Sequence, residues 1–124
     1  MKTVISTDKA PAAIGPYSQA IVYGDMLFTS GQIPVNPATG EIPETVEEQA
    51  AQSLANIKNI LAENGMTMSN VIKTTVFLQD LADFAAVNAV YAEHFEEPFP
   101  ARSCVQVAGI PKGCKIEIEC IAVK

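Results

Sequence analysis

An α+β fold, in which a mixed β-sheet carries two helices on one of its faces, is what this sequence predicts. Three observations carry the prediction. Residues 45–65 repeat apolar side chains at helical spacing between a strong start signal and a strong stop signal. Residues 80–95 repeat the pattern more weakly. Around both lie short runs rich in Val, Ile, Thr and Phe whose side chains alternate with a period of two, as in strands buried on one side. The resulting order is β-β-β-α-β-α-β-β, and only one sheet face then has helices to cover it.

Each element has its own warrant. Thr3-Val4-Ile5 is a short β-prone piece, and a loop with two prolines and a glycine follows over residues 8–16. Ala20-Ile21-Val22-Tyr23 and Met26-Leu27-Phe28-Thr29-Ser30 flank Gly24-Asp25 and read as a tight hairpin. Gly31 comes at once, where a backbone could approach a ligand closely. Residues 33–43, with three prolines and a glycine, form a long irregular loop. Thr45 with Glu48 makes a capping box for the first helix, in which Val46, Ala50, Leu54, Ile57 and Leu61 form the apolar stripe. Glu47, Gln49, Gln52, Asn56, Asn59 and Glu63 make its polar side, and Asn64-Gly65 stops it. A strand over Val71–Leu78 follows. Asp80 then caps a helix with the stripe Leu81, Phe84, Val87, Tyr91 and Phe95, and Asn88 and His94 flank that stripe.

Pro98-Phe99-Pro100 leads extended into Ala101-Arg102-Ser103-Cys104-Val105-Gln106-Val107. After Pro111-Lys112-Gly113 comes the closing strand, with Ile116, Ile118, Cys120 and Ala122 on one face and Glu117, Glu119, Ile121 and Val123 on the other. Paired as a hairpin, these two strands would hold Arg102 and Glu117 near opposite ends of the ladder. A site at a subunit edge is one way to bring them together, and the apolar Ile121 and Val123 beside the glutamates point to burial by another subunit.

The chain of 124 residues is expected to form one domain, 1–124, able to bury roughly two-thirds of its unfolded surface. No run approaches the ~20 apolar residues of a membrane span, and the first residues lack the apolar stretch of a signal peptide, so the expectation is a soluble cytoplasmic protein. The formal net charge is −6, and eight Lys and Arg are scattered without a basic stripe, which argues against nucleic acid as a partner. An anionic substrate would need one local cation, and Arg102 is the candidate. Three cysteines without Cys-x-x-Cys spacing suggest neither a disulfide framework nor a thiolate zinc site, and one histidine cannot make a multi-histidine metal site.

Ile14-Gly15-Pro16-Tyr17-Ser18-Gln19-Ala20, Ser30-Gly31-Gln32-Ile33-Pro34, and Arg102-Ser103 together with Ile116-Glu117-Ile118-Glu119 resemble the RidA (YjgF) family of reactive-intermediate deaminases. Asn36-Pro37-Ala38-Thr39-Gly40-Glu41 resembles the family's intervening loop, so the resemblance runs over essentially the whole chain. It implies a chorismate-mutase-like fold and a homotrimer whose sheets pack into a barrel-like core with a cleft between each pair of subunits. It implies hydrolysis of 2-imino acids and their enamine tautomers (2-aminoacrylate, 2-aminocrotonate) to 2-keto acids and ammonia, without cofactor or metal. Matched by motif, the site would comprise Tyr17, Ser30, Gly31, Asn88, Arg102, Cys104 and Glu117. Gly109, Ile110 and Cys120 depart from residues common in relatives, and Gly109 could alter the cleft's rim.

The residue types suit these roles. A guanidinium stays protonated and can grip a carboxylate with two parallel hydrogen bonds, which assigns the substrate carboxylate to Arg102. Glu117 would handle water and proton transfer, if its site is dry enough to raise its pKa. Glu119 shares its face and is the rival. Tyr17 and Ser30 offer hydroxyls and Gly31 an unobstructed N–H for orienting substrate, while Asn88 would support the surrounding loops. Cys104 is read as a backbone contributor to the cleft, since a thiol nucleophile would need His94 as its base. Two other readings are a trimeric keto-acid-binding or chaperone-like protein without turnover, and an endoribonuclease, which the acidic balance disfavours.

Overall fold

Helix α1 (Val46–Glu63) starts where its capping box lies. Thr45 is extended; its hydroxyl accepts from the Glu48 N–H at 3.1 Å and donates to the Glu48 carboxylate at 2.9 Å. The helix ends at Gly65, whose φ of 68° lets the chain turn away while Met66 N–H returns to the Leu61 carbonyl. Ala50, Leu54, Ile57 and Leu61 are fully buried, as their spacing predicts. The polar side departs from expectation, because Gln49 and Asn56 are buried too. Asn56 donates to the Ile33 and Val35 carbonyls, and Gln49 donates to the Pro43 carbonyl and accepts from Lys115 N–H. The irregular loop of residues 33–43 lies against this side, and its buried carbonyls need donors that no ladder supplies.

The computed structural model describes all residues, Met1–Lys124. The strands β1 (Thr3–Ile5), β2 (Ala20–Tyr23), β3 (Met26–Thr29), β4 (Val71–Leu78), β5 (Ala101–Gln106) and β6 (Ile116–Val123) form one sheet in the order β1-β2-β3-β6-β4-β5. The element order read from the sequence is the observed one. The last hairpin is not: β5 pairs in parallel with β4, and β6 enters antiparallel between β3 and β4. The reason lies in the side chains. Ile116, Ile118, Cys120 and Ala122 are all buried and need a central position, whereas β5 has no buried residue and takes the edge.

Helix α2 (Phe84–His94) connects β4 to β5 and follows a single 3-10 turn, Leu81–Asp83, whose start Asp80 caps through Ala82 N–H. Both helices pack on the face formed by Leu27, Val76, Ile116 and Ile118, around one core cluster of 21 buried residues. The apolar stripe expected of this helix is only partly core, and its ends, Leu81 in the 3-10 turn and the extended Phe95, fall outside α2. Val87, Tyr91 and Phe95 are buried, whereas Leu81 is 48% and Phe84 39% exposed. On the other sheet face, Val4, Ile21, Phe28 and Ile121 are register partners in one row across four strands, with Val4 and Phe28 exposed. No helix is long and apolar enough to cross a membrane.

Candidate active site

The seven residues singled out in the sequence gather in two places. Arg102 and Cys104 lie on β5 opposite Thr74 and Val76 of β4, and so share the helix-covered face. Asn88 of α2 meets them there: its Oδ1 accepts from Arg102 Nη1 at 2.8 Å. Asn88 therefore holds the guanidinium itself rather than the surrounding loops. Two rings complete this group, with the Arg102 guanidinium carbon 5.4 Å from the Phe84 centroid and 4.8 Å from that of Tyr91. A cavity of about 410 Å³ opens here, lined by Asn88, Tyr91, Ala92, Phe99, Pro100 and Arg102. Sequence reading missed Phe84, Tyr91 and Phe99 as part of this group. The spacing of residues 84, 88 and 91 along one helix face was the available signal.

Glu117 stands elsewhere. It lies opposite Phe77 on β6, on the sheet face without helices. Arg102 is three residues away along β4 and two strands across, about 14 Å between backbones from ordinary strand geometry. Within one chain the two residues are thus separated by distance and by the sheet itself.

Gly31 is Glu117's neighbour. It follows β3, and a Cβ built on it would overlap Glu117 Oε2 and stand 2.8 Å from Cδ. Its φ is outside the left-handed range, so the need for glycine is one of space, not of backbone conformation. Burial raises the Glu117 pKa above the ordinary 4.5, and the charge of Glu119, two residues along the same face, raises it further. Gly31 also borders a cavity of about 650 Å³ with Tyr17, Gln32, Ile33 and Lys112. Tyr17 is 53% exposed and its hydroxyl accepts from Ile14 N–H at 3.3 Å. Ser30 is tied down: its N–H donates to the Gln19 carbonyl and its hydroxyl to the Ser18 carbonyl at 2.6 Å.

Cys104 is half-buried, and burial pushes its thiol pKa up, which disfavours the thiolate a nucleophile requires. His94 Nδ1 is bound to the Val90 carbonyl at 2.9 Å. No three His, Cys, Asp or Glu side chains converge as a metal-binding group. A Cβ at Gly109 would meet nothing within 4 Å.

Residues 7–124 match the family model described as endoribonuclease L-PSP. A 2-iminobutanoate/2-iminopropanoate deaminase of Escherichia coli is 57% identical over 127 residues, covering 100% of this chain and 99% of that protein. A RutC family protein of Pasteurella multocida is 60% identical over 128 residues, covering 100% and 99%. The crystal structure of E. coli TdcF with bound serine superposes with a TM-score of 0.94 at 54% identity, covering 98% of each chain. That of RidA from an Antarctic Psychrobacter gives 0.95 at 46% identity, covering 98% and 99%. A match along nearly the whole chain, to relatives of the same length and fold, makes this protein a member of the endoribonuclease L-PSP family, the RidA/YjgF proteins.

Proposed function

We propose that this protein is a cofactor-independent deaminase that hydrolyses 2-iminobutanoate, 2-iminopropanoate and their enamine tautomers to 2-keto acids and ammonia. The observation that carries the reading is the division of labour in the fold. One half-site holds a cation whose polar partner is a neutral amide, and the other holds a carboxylate of raised pKa in a niche that only glycine leaves open. An imino acid has one end for each. Its carboxylate docks on the Arg102 guanidinium, and its C=N carbon lies by the water that Glu117 activates. Glu117 takes a proton from that water as oxygen bonds to C2, and passes it to the nitrogen. Glu117 then carries the carbinolamine's hydroxyl proton to the nitrogen as the C=O bond forms, the C–N bond breaks, and keto acid and ammonia leave.

Because Arg102 and Glu117 stand on opposite sheet faces of one chain, the complete cleft forms between subunits of a homotrimer. The apolar row Val4, Ile21, Phe28 and Ile121 supports the same assembly, since a neighbour's sheet would cover it. Tyr17, Ser30, the Gly31 N–H and the Cys104 backbone orient the substrate, and Asn88 fixes Arg102. The serine bound in the E. coli TdcF crystal structure has the same carboxylate and a nitrogen on the same carbon. RNA cleavage suits this chain less well, because its net charge of −6 repels a polyanion.

The test couples a threonine or serine dehydratase to ammonia or keto-acid release, with and without this protein. Acceleration is expected for the wild type. Arg102→Ala should lower kcat/KM by roughly 1.5–3 kcal/mol, the scale of a charged hydrogen bond. Glu117→Gln should lose turnover yet still bind a keto acid. No acceleration, with keto acids bound through Arg102, would leave a binding protein without turnover.

A further inference from the structure

Phe84, Asn88 and Tyr91 stand at positions i, i+4 and i+7 of α2, one stripe of one helix, and all three meet the same guanidinium. A helix whose only task was to cover the sheet would bury such a stripe. Here Phe84 remains 39% exposed, with its ring against Arg102. Tyr91 is anchored through both its hydroxyl and its ring. Its hydroxyl shares a 2.7 Å hydrogen bond with Thr74 Oγ1, and its ring lies 4.5 Å from that of Phe95. Thr74 is fully buried, and it is also the residue of β4 directly opposite Arg102. The contacts therefore close a ring: β4 holds Tyr91, Tyr91 and Phe84 hold the guanidinium, and the backbone of β5 returns to β4.

We infer that Phe84 and Tyr91 are positioning residues of the carboxylate clamp, an aromatic cradle that fixes the Arg102 guanidinium before substrate arrives. The inference rests on the clamp reading proposed above. An arginine side chain loses much rotamer freedom when it grips a ligand. Held between two ring faces and one amide oxygen, Arg102 loses that freedom on folding instead, so binding is not weakened by it. Asn88 occupies a single donor on Nη1, and the other N–H groups are left for the cavity that Arg102 lines. The cradle also explains why the cation is arginine. A planar guanidinium can lie against rings and still present a fork, and an ammonium cannot.

Calorimetric titration with 2-oxobutanoate, and turnover of imine generated in situ, test the cradle. Phe84→Leu and Tyr91→Leu should each weaken keto-acid binding roughly 3- to 10-fold, the scale of a cation–π contact. In turnover the loss should fall on KM, with kcat little changed. Tyr91→Phe, which keeps the ring, should recover most of the affinity lost in Tyr91→Leu. In an Arg102→Ala background, Phe84→Leu should cause no further loss of kcat/KM. Wild-type affinity in Phe84→Leu, with binding abolished by Arg102→Ala, would overturn the cradle and leave the clamp standing. A Phe84→Leu effect undiminished without Arg102 would also overturn it, since the ring would then serve packing alone. Wild-type binding by Arg102→Ala would remove the clamp, and the cradle with it. Phe84 is partly exposed, so this arm decides the matter even where Tyr91→Leu fails to fold.

Discussion

At the scale of single residues, Glu117 and Gly31 act as one object. Gly31→Ala should leave the backbone conformation undisturbed, because no left-handed φ is required there, yet it must push the Glu117 carboxylate out of its niche. The expected result is a large fall in kcat with a folded, keto-acid-binding protein; unchanged kcat would sever the two residues. The raised pKa of Glu117 gives a second expectation. If the ionised form activates water, the acid limb of kcat/KM lies above 4.5, and Glu119→Gln moves it down by removing the neighbouring charge. A limb that Glu119→Gln leaves in place would argue against Glu117 as the titrating group. Linkage fixes the sign for stability. A carboxyl whose folded pKa exceeds its unfolded one takes up more protons when folded, so stability falls as pH rises between the two values. Glu117→Gln should therefore melt higher than the wild type at neutral pH, and the difference should vanish below about 4.5. Alternation along β6 could not choose between Glu117 and Glu119, which share a face; the niche beside Gly31, 86 positions earlier by subtraction of residue numbers, is what separates them.

At the scale of elements, α1 was legible almost in full, since its caps and stripe are local chemistry. What escaped is the traffic between its polar side and the loop. Asn56 reads as a surface residue until the carbonyls of Ile33 and Val35 are seen against it. Asn56→Leu should cost about 1–3 kcal/mol for the stranded carbonyls, measured by urea denaturation, and should loosen the loop of residues 33–43 in hydrogen exchange. No loss of stability would mean that water replaces the amide. The pairing of the last two strands, open to a hairpin by sequence, is decided otherwise by the structure. A Pro-Lys-Gly turn between two β-prone runs suggests a hairpin, yet β5 lies parallel to β4 through a β-α-β connection, and β6 takes the opposite edge of β4. The composition held a clue that local turn chemistry outweighed: Arg, Ser, Cys, Val and Gln suit an edge, and four apolar residues on one face of β6 suit a centre. On α2, the 84-88-91 spacing was equally visible, but an apolar stripe is ordinarily core, and only the register of Arg102 against Thr74 turns it into part of a site.

At the scale of the whole molecule, the separation of Arg102 from Glu117 makes a prediction that a one-chain site cannot imitate. Arg102→Ala, strongly impaired alone, and Glu117→Gln, inactive alone, should regain activity when unfolded together and reassembled. With random mixing, a cleft that draws Arg102 from one subunit and Glu117 from its neighbour is intact about one time in four, so about a quarter of wild-type activity is expected. No recovery in verified mixed trimers would place both residues in one subunit's contribution. The order of strands has a different consequence, for how the protein is made. β6 (Ile116–Val123) alone joins β3 to β4; without it, β1-β2-β3 and β4-β5 share no ladder. The keystone of the sheet is thus the segment synthesised after every strand it unites. On the ribosome the two half-sheets must wait with the unpaired backbone edges of β3 and β4 open until residue 123 has cleared the exit tunnel. The interval between translation and closure is when this chain is most exposed to aggregation and to the chaperones that prevent it.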